Sequence, residues 1–269
     1  MCALKGQTIV MKEEEFKPIA KIILKRLGFD VFEIEPEQGV LTPDFEAIGK
    51  KDKYTIELKI KGDDPEEISR DLEALSRGES VTKSIPIGPR NTLGGIIREG
   101  VQQILEHDPK GESFRIIWLH SAGKDPSLHN MRFHSTLFGT EMLFCLRLPH
   151  TITCYYFHES AFFSWRNYLD GAILTDENNA QLCINSLSAR AEHFRKSELV
   201  VSMSKGLCDP QKLEESSDYD VMIADCEIDR KRSDQIVSYL QEKYGLDPLQ
   251  TIQMKQHTCT ISLPMDGDS

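Results

Sequence analysis

The sequence predicts an α/β protein: a mixed central sheet flanked by helices, with a small C-terminal βαβ-like extension. Three observations point there. Residues 16–27 carry apolar side chains at helical spacing, residues 54–61 alternate with period two, and segments of both kinds interleave along the chain. A chain of 269 residues is long enough for one large domain or two smaller ones, and it can bury a core without disulfide or metal staples.

In the first helix, Phe16, Ala20, Ile23, Leu24 and Leu27 share one face. Pro18 falls in the first turn, where a missing N–H costs little. Glu13, Glu14 and Glu15 crowd the positive end of the helix dipole, and Gly28 closes the helix. Residues 31–35 alternate as a strand, 36–42 form a loop, and 44–48 form a second short strand. After a polar turn over 49–53 comes the clearest strand, 54–61. Tyr54, Ile56, Leu58 and Ile60 face one way, and Thr55, Glu57, Lys59 and Lys61 the other. The short turn makes these two strands an antiparallel hairpin.

A helix over 65–77 follows, capped by Asp63 or Asp64. Residues 84–95, rich in Pro and Gly, read as a surface loop from which Lys83 and Arg90 can reach nucleic acid. The stretch GPRNTLGG lacks the Gly-Lys-Ser/Thr end of a P-loop. Residues 93–107 read as a helix and 115–119 as a buried strand. Further strands are expected at 142–148 and 152–157, and helices at 162–169 and 180–193. The aromatics between Tyr155 and Tyr168 suit a buried core more often than base stacking. The polar stretch 204–217 reads as a boundary. It divides the chain into 1–203, a main domain with α/β elaboration, and 204–269, a small α/β piece. That piece holds a strand at 219–226, a helix at 233–244 and one or two strands within 251–263.

Composition narrows the function. The net charge of −11 argues against a polybasic nucleic-acid binder, so affinity for nucleic acid has to come from a local basic face. No apolar run approaches the roughly 18–20 residues of a membrane span, and residues 1–12 lack a signal-peptide layout. Seven cysteines with long gaps and no CxxC argue against a zinc ribbon or disulfide framework and for a reducing cytoplasm. His129 and His134, five apart, share no helix face and read as ordinary histidines.

The chemistry concentrates on the hairpin. With its turn near residue 51, Asp44 sits across from residues 57–59, and cross-strand Cβ atoms lie roughly 4.5–5.5 Å apart. Two carboxylates and an ammonium therefore converge. A solvent-facing hairpin shows the same alternation. Three features favour a site: Pro43 extends the chain ahead of Asp44, the opposite face is wholly apolar, and a glutamate cluster lies just upstream.

Pro43-Asp44, twelve residues, then Glu57-Leu58-Lys59, preceded by the helix-to-strand junction at 26–31, resembles the PD-(D/E)XK nuclease superfamily with its restriction-endonuclease-like fold. The resemblance covers residues 13–61, with a compatible order of elements to about 120. It implies a divalent-metal-dependent endonuclease that hydrolyses DNA phosphodiesters with Mg²⁺ or Mn²⁺. Asp44, Glu57 and the Leu58 carbonyl would hold the metal, and Lys59 would orient the attacking water and stabilise developing charge. A glutamate of the first helix would join them, Glu15 ahead of Glu13. Lys61 would contact phosphate, within a basic cluster of Lys50, Lys51, Lys53, Lys59 and Lys61. A homodimer would cut both strands. The alternative is a member of the fold that binds nucleic acid or protein without cleaving. A third reading rests on Asp218 and Asp220, which resemble the metal-binding pair of nucleotidyltransferases. That pattern lacks the upstream Gly-Ser pair and a third carboxylate.

Overall fold

The protein is described by a computed structural model covering residues 12–36, 39–252 and 256–261. The chain begins α1 (Glu13–Arg26), β1 (Asp30–Glu33), β2 (Phe45–Ile48), β3 (Lys53–Lys61), α2 (Pro65–Ser76), β4 (Val81–Pro86) and α3 (Asn91–His107). It continues β5 (Phe114–Ser121), α4 (Pro126–Phe138), β6 (Glu141–Cys145), β7 (Thr151–Tyr155), α5 (Ala161–Ser164), β8 (Gly171–Thr175) and β9 (Ala180–Ile184). The rest is α6 (Ala191–Phe194), α7 (Glu198–Ser202), β10 (Leu207–Cys208), α8 (Pro210–Glu215), β11 (Val221–Ile223), α9 (Ser233–Tyr244), β12 (Leu249–Thr251) and β13 (Gln256–Ile261). No helix among the described residues is long and apolar enough to cross a membrane.

A seven-stranded mixed sheet, β1-β2-β3-β5-β8-β9-β10, forms the centre. Antiparallel pairs β1–β2 and β2–β3 lead into the parallel run β3–β5–β8. The alternation of β5 shows how the layers form. Ile116 and Trp118 pack with Phe16, Ala20 and Leu24 of α1, while Ile117 and Leu119 pack with Ile97 and Val101 of α3 and Phe133 of α4. Both faces of the sheet are therefore covered, which suits a parallel centre.

A second sheet, β11-β7-β6-β12, has its own core of Leu143, Ile152, Cys154 and Met222 against Ile236 and Leu240 of α9. β11 runs parallel to β7, and β12 antiparallel to β6. Thus β11–α9–β12 is a split βαβ unit with the β6–β7 hairpin between its strands. Strands from 204–269 complete sheets begun earlier: β10 joins the central sheet and β11 and β12 flank the hairpin.

Three local expectations change, and one helix had not been expected. The loop over 84–95 is instead the end of β4 and the first turns of α3, because β4 pairs with β13, some 170 residues later in the chain. The helix over 180–193 is instead β9, a loop and the single turn α6. Asp176 accepts hydrogen bonds from the N–H groups of Asn178 and Asn179, closing a turn that returns β9 onto β8. Only Ala161–Ser164 is helical within the aromatic stretch. Finally, α4 had no apolar period to announce it, because its buried side includes His129, Ser135 and Thr136. Its ends are nonetheless orthodox: the Asp125 carboxylate accepts from the Leu128 N–H, and Gly139 closes the helix at φ 58°.

Candidate metal centre

Register brings the acidic groups together. Phe45 lies opposite Ile56 and Ile48 opposite Lys53, so Asp44, one residue before β2, reaches the level of Glu57. Its Oδ2 accepts a hydrogen bond from the Leu58 N–H at 2.8 Å. The N–H and C=O of one strand residue leave on the same edge. The Leu58 carbonyl therefore also faces the edge where the β2 ladder has ended. From α1, Glu13 completes the group: Glu13, Asp44 and Glu57 each offer an oxygen, and these lie within 4.8 Å of one another. This is the acidic cluster with metal-ligand geometry among the described residues.

The three carboxylates differ in exposure. The Glu57 side chain is 1% exposed, Asp44 8% and Glu13 34%. Burial, then the charge of Asp44, pushes the Glu57 carboxyl up to about 8, although Lys59 pulls the other way. Burial likewise raises Glu13. Lys59 Nζ pairs with Glu57 Oε1 at 2.5 Å, and among the described residues no other donor reaches either Glu57 oxygen. A second ammonium, Lys17, lies 2.9 Å from Asp44 Oδ1 and 2.9 Å from Glu14 Oε1. Burial works against the charge on both lysines, but the surrounding carboxylates outweigh it and hold both above the ordinary lysine range.

The support comes from α3. Its Gly100 lies over Glu57: a Cβ there would stand 3.1 Å from Glu57 Cγ and 2.9 Å from Ile117 Cδ1. Further along, Gln103 Nε2 donates to the Thr42 carbonyl at 3.1 Å and Glu106 accepts from the Leu41 N–H at 3.1 Å. His107 Nε2 lies 3.1 Å from Glu46 Oε1, which also pairs with Lys53. These contacts fix the entry into β2 and hence the position of Asp44.

Asp44, Glu57 and Lys59 thus converge as expected, with the backbone of Leu58 beside them. Glu15 does not join them. Its carboxylate turns back to accept from the Lys12 N–H at 3.0 Å, as a helix cap, while Glu13 takes the inward place. The reason is helical phase. Two residues turn Glu15 about 200° away from Glu13, whereas Lys17, four residues on, returns to the same side. That spacing was the available signal for Lys17; Gly100 had none.

The basic cluster is split. Lys50, Lys51 and Lys53 sit at the hairpin turn, and Lys53 is about 20 Å along β3 from Lys59. Lys61 lies on the same face as Lys59 and lines a neighbouring cavity. Lys83 is held by Glu67 and Asp71. Asp218 and Asp220 are exposed in the turn ahead of β11 and belong to no acidic cluster of metal-ligand geometry among the described residues.

Hard carboxylate and carbonyl oxygens at these separations suit Mg²⁺ or Mn²⁺. No family model, curated protein or solved structure matches the chain.

Proposed function

We propose that the protein is a divalent-metal-dependent endonuclease with a restriction-endonuclease-like fold, hydrolysing DNA phosphodiester bonds. The observation that carries this reading is Glu57. A carboxylate 1% exposed, whose one close polar partner among the described residues is the Lys59 ammonium, faces two further carboxylates. A buried polar group left this way is costly unless something else satisfies it.

Glu13, Asp44, Glu57 and the Leu58 carbonyl would hold the ion. When bound, the ion supplies Lewis-acid polarisation of the phosphodiester and a lowered water pKa. The Leu58 N–H keeps Asp44 aimed at the centre. Lys59 positions a water for attack and stabilises charge developing on the phosphoryl oxygens. Gly100 lets α3 close over Glu57 and keep bulk water from it. A second copy of the chain would serve the opposite strand.

The position of Lys17 supports a second reading. With Glu57 protonated, Lys17 and Lys59 balance Glu13 and Asp44, so the cluster is neutral by itself. It would then be a structural charge group in a binding protein that does not cleave. Supercoiled plasmid with Mg²⁺ or Mn²⁺ separates the two. Cleavage that falls at least about 100-fold in Asp44→Asn and Lys59→Met supports the nuclease. Intact plasmid, together with no heat of Mg²⁺ or Mn²⁺ binding, supports the structural group.

A further inference from the structure

Beyond the C-terminal end of β3, a cavity of about 340 Å³ opens between α2, α3 and α4. That volume falls within the range of about 300–1,000 Å³ typical of small-molecule sites. Its wall mixes apolar side chains, Ile68, Leu93 and Leu128, with charges of both signs. The charges are not equivalent.

Each acidic group on the wall is already engaged. Asp63 accepts from the Lys124 N–H at 2.7 Å and lies 2.9 Å from His129 Nε2. Asp64 caps α2 through the Glu66 N–H, and Asp125 caps α4 through the Leu128 N–H. Glu67 and Asp71 both hold Lys83, at 2.7 and 2.5 Å.

Three cations differ in lacking a direct ion pair among the described residues. Among the described residues, the side chains of Lys61, Lys124 and Arg132 form no ion pair. Arg132 Nε is shielded from water and has no hydrogen-bond partner. No ion pair among the described residues balances the Arg132 guanidinium, so an anion in the cavity would supply the counter-charge that the chain does not. A planar guanidinium and two ammonium groups lining one cavity suit phosphate oxygens. The apolar wall suits a base. Lys61 is two residues from Lys59 on one face of one strand, about 7 Å, so the cavity adjoins the metal centre.

We propose that this cavity binds a nucleoside monophosphate unit, with its phosphate on Lys61, Lys124 and Arg132 and its base against Ile68, Leu93 and Leu128. Only the expectation that this unit belongs to the strand being cut rests on the nuclease reading. The same chemistry is presented by the phosphorylated end of a strand and by a free mononucleotide.

The test is isothermal titration calorimetry of the full chain in EDTA, so the metal centre plays no part. The probes are deoxynucleoside monophosphates and short single-stranded oligonucleotides carrying a 5′-phosphate, a 3′-phosphate or neither. Phosphorylated probes bind the parent, and Arg132→Met or Lys61→Met weakens them roughly 10-fold. Circular dichroism checks both variants. If Arg132→Met does not fold, Lys61→Met at the strand end decides. Binding confined to phosphorylated oligonucleotides identifies a strand end, and binding of mononucleotides identifies the unit itself. Absence of phosphate-dependent binding, or binding that both variants leave intact, overturns the proposal. Failure of the nuclease reading looks different: no Mg²⁺ heat and no cleavage, with nucleotide binding retained.

Discussion

Two buried carboxylates of the central sheet, Asp170 and Glu57, are equally hidden and opposite in circumstance. Each is about 1% exposed. Asp170, just ahead of β8, accepts from the Arg115 N–H at 2.9 Å, from Ser188 Oγ at 3.1 Å and from Arg190 Nε at 3.1 Å, and pairs with a second Arg190 nitrogen. Arg190 in turn donates to the carbonyls of Gly111 and Ser113. Glu57, at the middle of β3, has one ammonium at 2.5 Å and no further donor among the described residues. Where burial of an acid serves the fold, the chain surrounds it with fixed donors. Around Glu57 the chain supplies one ammonium and no fixed network of donors, and on the metal-binding reading proposed above the remaining compensation arrives from outside.

The contrast can be broken most directly at Asp170. Replacing it with Ala leaves Arg190 without its counter-charge and the Arg115 N–H unpaired, at an expected loss of about 3–5 kcal/mol in urea unfolding. A loss under about 1 kcal/mol would erase the distinction between the two acids.

Glu57 should behave in the reverse sense. Its carboxyl titrates near 8 in the folded protein against 4.5 for an ordinary glutamate. Between those values the folded state keeps a proton that the unfolded state releases. Metal-free stability therefore falls as pH rises through that window, and the stabilisation is full only below it. Glu57→Gln removes the decline, so in EDTA at pH 9 the variant melts above the parent by the equivalent of about 1–3 kcal/mol. Added Mg²⁺ stabilises the parent alone. Below pH 8 each ion bound to the parent releases close to one proton, readable from calorimetry in buffers of different ionisation enthalpy. Parallel stability curves for parent and variant would place Glu57 with Asp170.

The smallest stability effect is expected at Gly100. Alanine gains roughly 1 kcal/mol of helix propensity and loses a similar amount or slightly more by crowding Glu57 and Ile117. The melting temperature hardly moves, whereas Mg²⁺ affinity drops roughly 10-fold as Glu57 is displaced. Unchanged affinity would mean that α3 does not position the carboxylate.

Much of this was legible in residue order, and the limits are instructive. The β2–β3 hairpin has a two-residue period, a short polar turn and one apolar face, so local rules alone bring Asp44 level with Glu57. The helix over 233–244 was read with its observed limits for the same reason: a regular apolar stripe, with Gly245 at its C-terminal end. Reading failed where the partner was distant. Val81–Pro86 becomes a strand because of residues 256–261, and Ala180–Ile184 becomes one because β8 and β10 lie on either side. Helix-forming Ala, Gln and Leu in that segment yield to sheet pairing, since tertiary contacts outweigh propensities of a few tenths of a kcal/mol.

Sequence by itself determined the alternation of helix and strand, the acid–acid–lysine set on one hairpin and the apolar face that pins its register, all properties of neighbouring residues. The tertiary structure decided which helix glutamate faces inward, that Lys17 sits on Asp44, that Gly100 roofs Glu57 and that Lys61, Lys124 and Arg132 line one cavity with no ion pair among the described residues. Each of those depends on helix phase or on the approach of segments far apart in the chain. Whether a buried charge is satisfied is a property of its surroundings, and only the folded chain assembles them.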